Sequence, residues 1–203
     1  MNEPKISIVI PIHWMKNWQF FLTRCLESIE KQTFTDYEII ITKHGKMAEN
    51  TNAGIFKATG EIIKILYMDD YLAHPNSLKN LAENFEGGWL ATGCLHDFGD
   101  GKPKGTHLAR LDGIFKNSNT IGSPSVIAIE NKDPLLFDEN MSWVLDLDYY
   151  NRLFKKYGPP TILDNCEVVL GCGDHQVTNI MSKEDKISEE KYLINKWKTQ
   201  KYQ

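Results

Sequence analysis

The sequence predicts an α/β fold in which helices flank a mostly parallel β-sheet. Three observations predict it. Through residues 1–85, short β-branched apolar runs alternate with longer amphipathic stretches. Each link between them is short, a pattern that argues for a parallel sheet with helices on both faces. The runs close on Pro, Gly or Asp, residues that stop regular structure.

The elements follow in order. "KISIVIPI" (5–12) is β-branched and apolar, a buried strand ended by Pro11. In "WQFFLTRCLESIEKQ" (18–32), Trp18, Phe21, Leu22, Cys25 and Ile29 recur at helical spacing, which leaves Arg24, Glu27 and Glu30 facing water. "YEIIIT" (37–42) reads as a second buried strand. "MAENTNAGIFKATG" (47–60) reads as a short helix closed by Gly60. "EIIKILYM" (61–68) is a third strand that ends at two aspartates. "HPNSLKNLAENF" (74–85) is helical, with Pro75 near its start. The second half is less regular. "WLATGCLHDF" (89–98), "PSVIAIE" (124–130) and "TILDNCEVVLGC" (161–172) read as strands, and residues 99–123 as a loop. "DENMSWVLDLDYYNRLFKKYG" (138–158) reads as a helix stopped by Gly158 and Pro159. The polar tail after Lys183 is either a docked helix or a frayed end. We expect one domain over 1–203. It comprises a nucleotide-binding half (about 1–85), an acceptor-side half (about 86–182) and a tail (183–203).

Composition narrows function. The chain has 203 residues, 23 Lys and Arg, 27 Asp and Glu, and a formal net charge of −4. No long basic run is present, which argues against a nucleic-acid partner, because such binding needs clustered cations against phosphates. No apolar run approaches the roughly 20 residues of a membrane span. "MNEPK" leads straight into a strand, without the layout of a signal peptide. Cys25, Cys94, Cys166 and Cys172 form no Cys-x-x-Cys pair. The expectation is therefore reduced thiols and a cytoplasmic location.

The stretch "KILYMDDY" carries the chemistry. In parallel sheets, ligands bind at the carboxyl ends of strands. Pro11–Trp14, Thr42–Lys46 and Tyr67–Asp70 all lie at such ends, so they should gather at one crevice. Two adjacent carboxylates at a buried strand end are costly unless something positive joins them. A divalent cation, Mn²⁺ or Mg²⁺, suits hard oxygen ligands. The plainer alternative is that one aspartate caps the next helix and the other pairs with a lysine. Tyr-Met-Asp-Asp also marks reverse transcriptases. Their two-metal chemistry needs a third carboxylate from an earlier strand, and "PIHW" and "TKHGK" offer none.

The surroundings resemble the family-2 glycosyltransferases. "SIVIPI" matches the family's opening strand, and "KQTFTDYEIII" the stretch that follows its first helix. "NAGIFKATGEIIKIL" matches Asn-x-Gly, a spacer, Gly-Glu and a strand. "YMDD" stands at Asp-x-Asp-Asp, and "FDENMSWVLDLDYYNRL" at a late Asp-x-Asp helix. The likeness is good over about 5–85 and looser over about 120–180. It implies the GT-A fold, a Rossmann-like sheet with a smaller, mixed acceptor-side half. It implies transfer of a sugar from a nucleotide-diphosphate donor, a UDP-sugar first, to an acceptor hydroxyl with inversion. The acceptor is unknown: a glycan, a lipid or a protein. The resemblance makes Asp69 the metal ligand and His175, in "GDHQVT", its partner. It places Asp70 beside the donor, Asn52 and Gly54 at a turn next to the nucleotide, and Asp146 as catalytic base. Pro11, His13, Lys43, Tyr67 and Met68 complete the expected donor surface.

Asp148 and Arg152 are four apart and can pair, which leaves Asp146 free. Trp143, Leu147, Tyr150 and Phe154 form one apolar stripe. The chain departs from the family in three places. Tyr67 replaces the first aspartate of Asp-x-Asp. "TKHGK" replaces the usual Val-Asp-Asp-Gly-Ser, so the base is open and Lys43 and His44 become candidates to meet it. The link from Gly45 to Asn52 is short. These losses keep a degenerate, non-catalytic binding module in play. A nucleotidyltransferase is disfavoured, because "PIHWMKNWQ" lacks the glycines of a triphosphate loop.

Overall fold

The computed structural model describes residues 3–113 and 118–200. Residues 1–2, 114–117 and 201–203, which belong to the predicted start, loop and tail, lie outside the described residues. Eight strands form one sheet in the order β2-β1-β3-β7-β5-β8-β4, with β6 paired to β5. Strands β1 (Ile6–Pro11), β2 (Tyr37–Thr42), β3 (Ile62–Ile65), β5 (Trp89–Asp97) and β8 (Thr161–Gly171) all run the same way. β4 (Tyr71–Leu72), β6 (Lys104–His107) and β7 (Ile127–Glu130) run against them. The helices are α1 (Trp18–Glu30), α2 (Met47–Ile55), α3 (Ser77–Asn84), α4 (Leu145–Tyr157), α5 (Val177–Ile180) and α6 (Lys183–Gln200).

β1 and β3 are buried along their whole length, so both sheet faces are covered at the centre. Their isoleucines join one core with Trp89, Tyr149 and Tyr150. Gly54 explains how closely α2 lies on β1: a Cβ there would meet Val9 Cγ1 at 2.2 Å. The four cysteines are free thiols. Among the described residues no helix is long and apolar enough to cross a membrane.

Several elements differ from the sequence reading, each for a tertiary reason. β2 is an edge strand with one neighbour, and Ile39 and Ile41 are 39% and 42% exposed. β3 stops at Ile65, and the two aspartates sit in a turn closed by Asp70 N–H on Tyr67 O at 2.9 Å. α2 ends at Ile55 rather than Gly60. β4 and β6 were hidden because one is two residues long and the other is exposed amid glycines. α4 begins at Leu145, not at Asp138.

The tail is a docked helix. Leu193 is buried and Trp197 packs on the core. Lys196 Nζ reaches Asp138 Oδ2 at 2.6 Å and Asp148 Oδ2 at 2.9 Å. Glu189 accepts the N–H groups of Ser142 and Trp143 at 2.8 Å and of Val144 at 3.3 Å. The start of α4 has no cap of its own, so a carboxylate from α6 satisfies the amides beside it.

Candidate active site

The strand ends named above surround a cleft of about 440 Å³. Pro11 and His13 come from the end of β1, Gly45 and Lys46 from beyond β2, and Tyr67–Asp70 from the turn after β3. Leu170, Gly171 and His175 arrive from the end of β8, and Asp146 from the first turn of α4. These elements are far apart in sequence. Only the sheet brings them together.

Asp69 and His175 meet directly, with Nε2 3.0 Å from Asp69 Oδ2. That hydrogen bond raises the imidazole pKa, against the effect of burial. His13 lies within electrostatic reach of both; burial lowers its pKa and Asp69 partly restores it. Asp70 points inward. It is 4% exposed and accepts the Gly171 N–H at 2.9 Å. Burial and the neighbouring Asp69 push its pKa up. Lys64, buried behind it, donates to the carbonyls of Ser125 and Ile127. Desolvation lowers that ammonium to about 7, and Asp70 works in the opposite direction. Asp70 therefore shapes the turn, and Asp69 faces the cleft. Gly171 permits this arrangement, since a Cβ there would lie 2.3 Å from Asp69 O.

Asp146 is half-buried and faces the cleft. Its Oδ2 accepts Asn119 Nδ2 at 2.5 Å, and its Oδ1 accepts the Leu147 N–H at 2.7 Å. Desolvation outweighs both bonds and raises its pKa to about 6. Asp148 turns the other way, fully buried on Arg152 at 2.7 Å and on Lys196.

Four expected residues lie outside the cleft lining: Asn52, Gly54, Lys43 and His44. Asn52 sits mid-helix in α2, not in a turn. It is 2% exposed and its amide is spent on Phe137 N–H, Phe137 O and Glu139 Oε1. Asn50, two residues earlier, faces the cleft instead and ties His44 N–H to Ile12 O. Lys43 is exposed, its Nζ 3.6 Å from the centre of the Trp14 ring, and it is not part of the cleft lining. Tyr67 is half-buried in the lining, with its N–H on Ser125 Oγ at 2.9 Å.

Arg24 corrects the reading of α1. It does not face water. Its Nη2 donates to Asp69 O at 2.5 Å, and its Nη1 to Asp97 Oδ2 at 2.7 Å. The guanidinium stacks 4.3 Å from the Tyr71 ring centre. No local signal in the sequence pairs it with an aspartate 73 positions away.

No protein-family model matches the chain, and no curated protein matches it. Solved structures do. TarS 1–349 of S. aureus in complex with UDP matches with a TM-score of 0.65 at 15% identity, over 84% of this chain and 61% of that one. The same protein with UDP-GlcNAc gives 0.61 at 14%, over 88% and 61%. The mannosyltransferase PcManGT from Pyrobaculum calidifontis, in complex with GDP-Man and Mn²⁺, gives 0.60 at 12%, over 86% and 59%. The fold is a GT-A-like glycosyltransferase fold. The chain spans about six-tenths of the length of these structures.

The donor set bears on a metal. Among the described residues no three His, Cys, Asp or Glu side chains form a ready cage. One carboxylate and one imidazole at 3.0 Å make a partial set. A hard carboxylate oxygen and an imidazole are donors that fit a divalent cation, so Asp69 and His175 are the residues that would hold one.

Proposed function

We propose that the protein is a divalent-metal-dependent glycosyltransferase of the family-2 type. In this reading it moves a sugar from a nucleotide-diphosphate donor, a UDP-sugar first, to an acceptor hydroxyl with inversion. One observation carries the reading: the Asp69–His175 pair and the pKa-raised Asp146 line the same cleft. The nucleotide donors held by TarS and PcManGT support it.

Asp69 and His175 would hold the cation. When bound, it neutralises the charge that gathers on the departing diphosphate. Pro11, His13, Tyr67 and Met68 bound the nucleotide side, and Asp70 fixes the turn from beneath. Asp146 accepts the acceptor's hydroxyl proton. The acceptor oxygen bonds to the anomeric carbon, and the bond from that carbon to the diphosphate oxygen breaks, its electron pair leaving with the diphosphate. A carboxylate with a pKa near 6 is ionised at neutral pH and basic enough to share a proton in the transition state. Asn119 and the Leu147 N–H aim its two oxygens.

Calorimetric titration of UDP and GDP, with and without Mn²⁺, tests the donor site. The expected result is Mn²⁺-dependent binding of one nucleotide that Asp69→Ala abolishes. Equal binding with and without the metal, or by the variant, would overturn the metal assignment.

A further inference from the structure

A second cavity, of about 470 Å³, adjoins the first at Asp146. Trp143, Asp146 and Thr178 line both cavities, so the two share a wall at the carboxylate. Asn119, whose amide holds Asp146, lines only the second. The tail helix α6 supplies its far side through Glu190 and Ile194. The volume falls in the range of small-molecule sites.

The geometry points to this second cavity as the acceptor subsite, shaped for an uncharged saccharide that presents a hydroxyl to Asp146. The assignment rests on the glycosyltransferase reading above. Position is the first argument. A base must touch the acceptor hydroxyl on the side away from the leaving group, and Asp146 is the titratable group common to both cavities. Chemistry is the second. An indole beside a carboxylate, an amide and a hydroxyl offers an apolar face for a sugar ring together with donors and acceptors for its hydroxyls. Charge is the third. Among the described residues the lining holds two carboxylates, Asp146 and Glu190, and no cation. Lys186 keeps its charge nearby, on Thr178 O at 2.6 Å and 5.5 Å from the centre of the Trp143 ring, but it is outside the lining and the two lining carboxylates outnumber it. A phosphorylated or uronic-acid acceptor would meet repulsion there. A neutral ring would not.

The test is saturation-transfer NMR on the full chain with a panel of neutral methyl hexosides and a methyl glucuronide. Calorimetric UDP titration with Mn²⁺ runs beside it. Two exposed α6 variants report on the second cavity alone: Glu190→Ala removes a hydroxyl partner, and Ile194→Trp fills the space. The expected result is saturation of a neutral hexoside, weakened about tenfold or more in both variants, with UDP binding unchanged. Three results would overturn the subsite: no hexoside binding by a chain that binds UDP, hexoside binding unaffected by either variant, or preference for the glucuronide. Hexoside binding lost in the variants of a chain that binds no nucleotide would overturn the donor reading and, with it, the acceptor role, leaving the cavity a saccharide site only. Absence of both kinds of binding would overturn both.

Discussion

A single carboxylate, Asp146, carries the proposed chemistry through its position. Asp146 is ordinary in sequence, but desolvation at the start of α4 lifts its pKa to about 6. A base works only when ionised, so transfer should rise with pH through about 6 and level off above it. Asn119 stabilises the ionised form, so Asn119→Ala should move this limb to higher pH. A pH–rate profile of kcat/KM checks both, and an unmoved limb would refute the role of Asn119. Asp146→Asn should lose on the order of 10²–10⁴-fold in transfer and keep UDP affinity, as single-turnover assays and calorimetry can show. At this scale the sequence was legible where a motif stood in fixed order. Asp69, Asp70, Asp146 and His175 could be named before any fold, and they share one cleft. It was not legible where a residue of the same type stood two positions from the one the motif named. Asn50 and Asn52 lie two apart on a helix and point roughly 200° apart. No local rule says which faces the cleft. Arg24 hid for a similar reason: its partners, Asp97 and the Asp69 carbonyl, arrive only with the tertiary fold.

Elements were easier to read than their partnerships. The alternating runs of the first half required strands and helices, and they formed with boundaries shifted by a few residues. What the runs could not disclose was which strand lies at the edge, because Ile39 and Ile41 look as apolar as the core. The tail illustrates the same limit. α6 is polar and has no strong apolar stripe; it docks through Leu193, Lys196, Trp197 and Glu189 at scattered positions. Glu189 gives this docking a measurable weight. Glu189→Ala leaves the amides of Ser142, Trp143 and Val144 without their acceptor. It should cost about 1–2 kcal/mol, read from urea unfolding, and Glu189→Gln should recover part of it. Because these amides lead into the turn that carries Asp146, transfer should fall further than UDP affinity does. A variant that unfolds like the parent would mean that water satisfies these amides equally well.

Across the whole molecule, one half-buried cation links distant parts of the fold. Arg24 on α1 joins the end of β5, through Asp97, to the turn that carries Asp69. Asp97 is 1% exposed and also accepts the Gly99 and Gly101 N–H groups and the Tyr71 hydroxyl. Removing the guanidinium strands a carboxylate inside the protein. Breaking a buried pair in this way costs about 3–5 kcal/mol, more than keeping it contributes. Arg24→Met should therefore destabilise strongly in urea. Arg24→Met combined with Asp97→Asn should lose less than the single variant, because the orphaned charge is gone while an acceptor for Gly99 remains. The turn that carries Asp69 gives a second readout. Asp69 O loses its 2.5 Å donor in both variants, so Mn²⁺-dependent UDP affinity should stay weakened even where stability returns. If affinity recovered together with stability, Arg24 would be a structural tie only. If it stayed low, the same residue that ties β5 to this turn would also set the direction in which Asp69 faces.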